Sequence, residues 1–235
     1  MPVIKGAANF PTNGTLGLLD GNPYTATGLR YQSTNIFFRQ IRNLVFDTTD
    51  IPGVACGVHW PSSQATSIQN CVFKLSSRAS DTHTGIHMEE GSGGLATDLV
   101  FYGGRYGAQF GNQQYTMRNL TFVGSHVGIQ QLWSWGWTYK SLNFIDCEVG
   151  INMSSTTVGS VTLLDSKFAN VGTALVTGRD PGSVTGQGSL IIESVEFVNV
   201  AAVLGGPGGE VILYGDSTSS LHEPGYMMVK FSLAL

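Results

Sequence analysis

The sequence predicts an all-β chain wound as a right-handed parallel β-helix, a single-stranded solenoid of about seven coils. Three observations carry this expectation. Short β-rich runs recur along the chain, equivalent positions within them hold equivalent residues, and no stretch has the periodicity of a long amphipathic helix.

The runs are NLVF (43–46), NCVF (70–73), DLVF (98–101), NLTF (119–122), SLNF (141–144), SVTL (160–163) and SLII (189–192). Their last residues, Phe46, Phe73, Phe101, Phe122, Phe144, Leu163 and Ile192, are spaced 27, 28, 21, 22, 19 and 29 residues apart, as in a solenoid with loops of unequal length. Three residues before each anchor stand Asn43, Asn70, Asp98, Asn119, Ser141, Ser160 and Ser189. One place further on stand Leu44, Cys71, Leu99, Leu120, Leu142, Val161 and Leu190. Alternation along a strand puts the second and fourth positions on one inward face. Stacking then makes apolar columns inside and a hydrogen-bonded polar ladder at the bend. A leucine-rich repeat would show LxxLxLxxN at a tighter period. A β-sandwich would show hairpin turns between its strands, yet the one NG pair, Asn13-Gly14, precedes the runs.

In chain order, residues 1–35 carry PTNG and DGNPY and read as a loop-rich lead-in or cap. Residues 36–205 read as the β-helix domain, and residues 206–235 as an irregular C-terminal tail. Of 235 residues, 31 are glycine, nearly twice the ordinary share of ~7%, but without the three-residue period of collagen. Only 12% are charged and 10% are aromatic, which excludes a disordered chain. The net charge of −4 argues against a nucleic-acid partner. No apolar run reaches the ~20 residues of a membrane span, and MPVIKGAANF is not a signal peptide, so neither a membrane association nor a leader is expected. Cys56, Cys71 and Cys147 lack metal-site spacing. They read as buried free thiols, with one disulfide as the alternative. No metal and no cofactor is expected.

The chemistry should lie where the loops swell. Nine residues before four successive anchors stand Gln64, Ser92, Gln113 and Trp135, a column that either lines a groove or forms a solvated polar ladder. In LWSWGW, Trp133, Trp135 and Trp137 alternate and are expected on one face, where an indole can stack on a sugar. With His59-Trp60, Gln113-Gln114 and Gln130-Gln131 they make an uncharged aromatic and amide set suited to a neutral carbohydrate rather than to pectin. Carboxylates are few. Glu89-Glu90 precede GSGG (91–94), and Asp146 and Asp165, each two past its anchor, form either a stacked acid pair or a calcium site. No arginine stands near that column as the base a lyase would need, and the double-Asp and Gly-His-Gly motifs of a polygalacturonase are absent. His83, His87, His126 and His222 are scattered, and no GxSxG, P-loop or HExxH occurs.

Taken together, FFRQIRN (37–43), GVHWPSSQAT (57–66), IHMEEGSGG (86–94), DLVFYGG (98–104), GNQQYTMRNLTF (111–122), LWSWGWTYKSL (132–142) and GSVTLLDS (159–166) resemble the fungal exo-β-1,3-glucanases of glycoside hydrolase family 55, within the pectate-lyase-like superfamily. The resemblance runs from about Ile36 to Gly178 and covers what would be the first of two β-helix domains. It implies a laminarin-type β-1,3-glucan bound between two β-helices, glucose released with inversion, and secretion. It also implies a general-acid glutamate on the second helix, to which no residue here corresponds. Gln64 and Ser92 are the candidates for holding the attacking water, with Gln113 or Gln114 as the alternative amide. Trp60, Trp133, Trp135, Trp137, Gln131 and Glu89 are the candidate substrate contacts. Sequons stand at Asn13, Asn119 and Asn152, and Glu90 occupies a place where the family commonly has an amide. The expectation is an exo-acting glucan hydrolase that is weak or inactive without its second domain. The alternatives are a non-catalytic glucan-binding or structural β-helix and a pectin-type lyase.

Overall fold

A computed structural model describes residues 1–11, 17–179 and 189–215. Asn13, His222 and the tail beyond residue 215 lie outside the described residues. All the regular structure described is strand: β1 (Val3–Lys5), β2 (Gly17–Asp20), β3 (Tyr24–Thr25), β4 (Gly28–Leu29), β5 (Gln40–Arg42), β6 (Val45–Asp47), β7 (Val54–His59), β8 (Ser67–Lys74) and β9 (Thr82–Met88), then β10 (Leu95–Tyr102), β11 (Tyr106–Val123), β12 (Val127–Ile145), β13 (Val149–Met153), β14 (Val158–Leu164), β15 (Lys167–Thr177), β16 (Leu190–Glu193), β17 (Glu196–Gly205) and β18 (Val211–Tyr214).

The strands stack in parallel as a β-helix with three faces. The first carries Phe46, Phe73, Phe101, Phe122, Phe144, Phe168 and Phe197 in register. The second aligns Ile41, Ile68, Ala96, Met117, Tyr139, Leu163 and Ile192. The third aligns Leu19, Val58, Ile86, Ala108, Ile129, Ile151, Leu175 and Leu204. Almost all of these side chains are buried in one continuous core. β1 and β2 extend the first and third faces at the N-terminal end, and β18 closes on β17 in the antiparallel sense.

Two of the expected anchors are corrected. Leu163 pairs with Tyr139 and Ile192 with Leu163 on the second face, each five residues before the true anchors, Phe168 and Phe197. Short apolar runs on two faces look alike, and SVTL and SLII on the second face imitate the anchor runs that KFAN and EFVN form on the first. The corrected bend column is therefore Asn43, Asn70, Asp98, Asn119, Ser141, Asp165 and Ser194, every one at φ between 46° and 60°. Asn, Asp and, less readily, Ser tolerate this left-handed turn, and their short side chains bond along the stack. Asn70 Nδ2 donates to Asn43 Oδ1 at 2.7 Å, and Asn119 Nδ2 to Asp98 Oδ1 at 2.6 Å. A second such ladder runs through Asp146, Asn170 and Asn199 at the next corner. Asp146 and Asp165 thus stand at different corners, and Asp165 pairs with Lys140. They are not a stacked acid pair, and the described residues hold no cluster of metal ligands. The three cysteines are buried and free, and burial pushes the Cys56 thiol up to about 12.

Candidate functional site

The corner between the third and second faces is where the loops swell. Between β7 and β8, and between β9 and β10, the chain leaves the sheet through PSSQAT and EEGSGG. The long strands β11 and β12 instead run straight across the same corner, with one extra residue at Leu132, where Phe110 faces Gln131 but Gly111 faces Trp133. The outcome is a groove of about 570 Å³ along the second face, walled by Gln64, Ala65, Ser92, Gly93, Gly94 and Gln114. Its floor is Tyr115, Thr116, Gly136, Trp137, Thr138, Ser160 and Thr162. None of these lining residues is charged.

Gln64 and Ser92 meet in this groove, and Gln114 joins them rather than Gln113, whose neighbour on the chain, Asn112, turns inward. Ser92 is 5% exposed and its hydroxyl has no protein partner. Its turn is held by Asn112, fully buried, whose Oδ1 accepts from Gly93 N at 2.7 Å. Gly91, at φ +148°, leaves no room for a β-carbon between Asn112 and Ser62.

The tryptophans do not share a face. At a corner the inward positions fall three apart (Gln131, Ser134, Trp137) instead of two, so alternation cannot be carried through it. Trp137 is 2% exposed and stacks on Tyr115 at 5.2 Å and Phe110 at 5.9 Å. Trp60 is equally buried, so both rings belong to the core, and Trp137 reaches the groove only as part of its floor. Trp133 is half-buried and donates its indole N–H to the Glu89 carbonyl at 2.6 Å. Trp135 alone stands out, 67% exposed. Gln131 is fully buried. Its amide donates to the carbonyls of Phe110 and Trp133 and accepts from the Tyr139 hydroxyl, which makes it part of the corner and not a surface contact.

Glu89 points away from the groove into a cluster that the sequence did not reveal. His59, expected in the uncharged set, sits fully buried with Nδ1 2.8 Å from Asp20 Oδ1 and Nε2 2.9 Å from Glu89 Oε1. The Tyr24 hydroxyl also donates to Glu89, and its ring stacks on His59 at 5.4 Å. Burial disfavours the imidazolium, but the two carboxylates outweigh it and raise the His59 pKa. Burial likewise disfavours ionised Glu89, while His59, Tyr24 and His87 together lower its pKa. Glu89 is therefore ill-suited to donate a proton. Phe38, 85% exposed at φ 56°, was also missed; its amide meets the Gln64 carbonyl at the end of the groove.

Comparison with known proteins agrees with this architecture. A protein 44% identical over 227 residues is named probable glucan endo-1,3-beta-glucosidase, from Arthroderma benhamiae. One 38% identical is named glucan 1,3-beta-glucosidase, from Cochliobolus carbonum, and one 36% identical is named non-secreted LysM effector LysM15, from Penicillium expansum. They cover 92%, 93% and 98% of the chain, but the chain spans only 25%, 29% and 17% of their lengths. The first two names are consistent with the glycoside hydrolase family 55 resemblance. The profile described as "Rhamnogalacturonase A/epimerase, pectate lyase-like" matches residues 1–152, and the chain belongs to that family.

Proposed function

We propose that this chain is the water-presenting part of a β-1,3-glucan hydrolase, acting from the chain end with inversion on laminarin-type glucan. In this reading Gln64 and Ser92 hold the attacking water, with Gln114 beside them, and the second β-helix domain of longer relatives supplies the general-acid glutamate. The observation that carries it is the uncharged groove lined by both Gln64 and Ser92, Ser92 with a buried hydroxyl that has no protein partner. A neutral lining suits a neutral polymer, and amide and hydroxyl groups can orient a water without titrating. Inverting hydrolysis also needs a carboxylic acid and a base or water-holding group on opposite sides of the sugar. Among the described residues no carboxylate lines the groove, which supports the reading that the acid comes from elsewhere. Two relatives named as glucan glucosidases support the substrate class.

The same lack of a carboxylate favours, as second reading, a non-catalytic glucan-binding module. Glucose release from laminarin by the purified chain tests the first. Very slow release or none is expected from the chain alone. Rapid release would overturn the reading that the acid lies elsewhere.

A further inference from the structure

We propose that His59 is a positioning residue for the turn that presents Ser92 to the groove: clamped between Asp20 and Glu89 and stacked against Tyr24, it fixes Glu89 and with it the Glu89–Gly93 backbone. The proposal rests on the reading of Ser92 as a groove residue that holds water.

Both ring nitrogens of His59 face carboxylate oxygens, Nδ1 at 2.8 Å from Asp20 and Nε2 at 2.9 and 3.2 Å from Glu89. A neutral imidazole has one N–H and would set a lone pair against one of those carboxylates, so with both carboxylates ionised the arrangement favours the doubly protonated ring. The groups that face it are Asp20 from β2, Tyr24 from β3, His87 from β9 and Glu89 just beyond β9, with Cys56 on its own strand. His87 stacks on His59 at 5.8 Å and donates Nδ1–H to Gln109 Oε1 at 3.0 Å; burial and the charge on His59 lower its pKa against the opposing pull of Glu89, 3.6 Å from its Nε2.

Glu89 thereby becomes a fixed post. Three residues later Ser92 lines the groove, and further bonds hold the same backbone: Trp133 Nε1 to Glu89 O, Asn112 Nδ2 to Glu90 O, Gln113 N to Gly91 O, Ser92 N to Ser62 O, and Gly93 N to Asn112 Oδ1. Of these holds only the His59 clamp contains a side chain that titrates near neutral pH. Trp133, bonded to the carbonyl of the clamped residue, reports on it.

The test follows the Trp133 indole ¹⁵N–¹H resonance, identified by its loss in Trp133→Phe, and the affinity for laminarihexaose, from about pH 5 to 9. In the native chain the resonance should move in one titration with its midpoint above ~6.5, and affinity should fall by at least about fivefold over the same interval. In His59→Gln both should be independent of pH, with affinity at the native high-pH level. Glu89→Gln, an isosteric change at a side chain 17% exposed, should lower the midpoint even if His59→Gln fails to fold. A Trp133 resonance that does not move, an unchanged midpoint in Glu89→Gln, or native low-pH affinity in His59→Gln overturns the proposal. If Trp133 titrates as described but laminarihexaose binds at no pH, the clamp stands and the glucan reading falls.

Discussion

Gly85 lies flat against the ring of Phe101: a β-carbon at position 85 would stand 2.7 Å from the ring's Cδ1. The relationship repeats up the solenoid, with Gly57 against Phe73 and Gly128 against Phe144 at 3.0 and 2.6 Å. The rings stack on one another with centroids 4.6–5.4 Å apart, close to the spacing of adjacent strands. A column of glycines on the third face makes room for the column of phenylalanines on the first. Part of the unusual glycine content is spent there.

Gly85→Ala should therefore overpack the lumen and destabilise the fold by ~1–3 kcal/mol. The thermal midpoint should drop by ~2–4 °C for each of those kcal/mol. Gly136→Ala is the control, because nothing lies within 4 Å of a β-carbon there. It should stay within ~0.5 kcal/mol of the native chain. Equal losses at the two positions would count against the glycine–phenylalanine fit.

Phe122, fully buried between Phe101 and Phe144, should cost ~3–5 kcal/mol when cut to alanine. Trp135→Ala should leave stability within ~0.5 kcal/mol while abolishing the quenching of intrinsic fluorescence by laminarin. Quenching that survives the change would remove Trp135 from the ligand surface.

At the bend, Asn70 holds φ 50° and donates to Asn43. Asn70→Val combines a β-branched side chain with a left-handed backbone and should cost ~1–3 kcal/mol. Asn70→Gly loses only the ladder bond, worth ~1 kcal/mol. Denaturant midpoints that rank the two the other way round would mean that the ladder, and not the backbone turn, selects asparagine.

The His59 cluster predicts a bounded pH range. His59 has a raised pKa when folded, so its contribution is complete below ~6.5 and fades as pH rises through the folded value. Glu89 has a lowered one, so its contribution is complete above ~4.5 and fades as pH falls. Urea midpoints should peak between those limits, and His59→Gln should flatten the alkaline side. A native chain equally stable at about pH 5.5 and 8.5 would contradict this.

The solenoid was legible in the sequence because stacking repeats a chemical choice at each coil. Phe46 to Phe144 and Asn43 to Ser141 fall in column by counting alone. The count slipped at Leu163 and Ile192, where an apolar run on one face imitates the pattern of another. Gln64 and Ser92 were found by the same column arithmetic, and they do share a groove. Trp60, Trp137 and Gln131 were misplaced because alternation holds only within a straight strand and these residues sit at or beside the corner. Asp20, Tyr24 and Asn112 gave no signal, and His59 showed only as a member of an uncharged set. Their meaning comes from contacts 19 to 65 residues away in the chain, which no local pattern encodes.

The groove as a site for neutral glucan is tested most directly by calorimetric titration of this chain with laminarihexaose, alongside an oligogalacturonate of equal length. Saturable heat with the laminari-oligosaccharide and none with the charged sugar is the predicted result. No heat with laminarihexaose, or equal binding of both sugars, would contradict it.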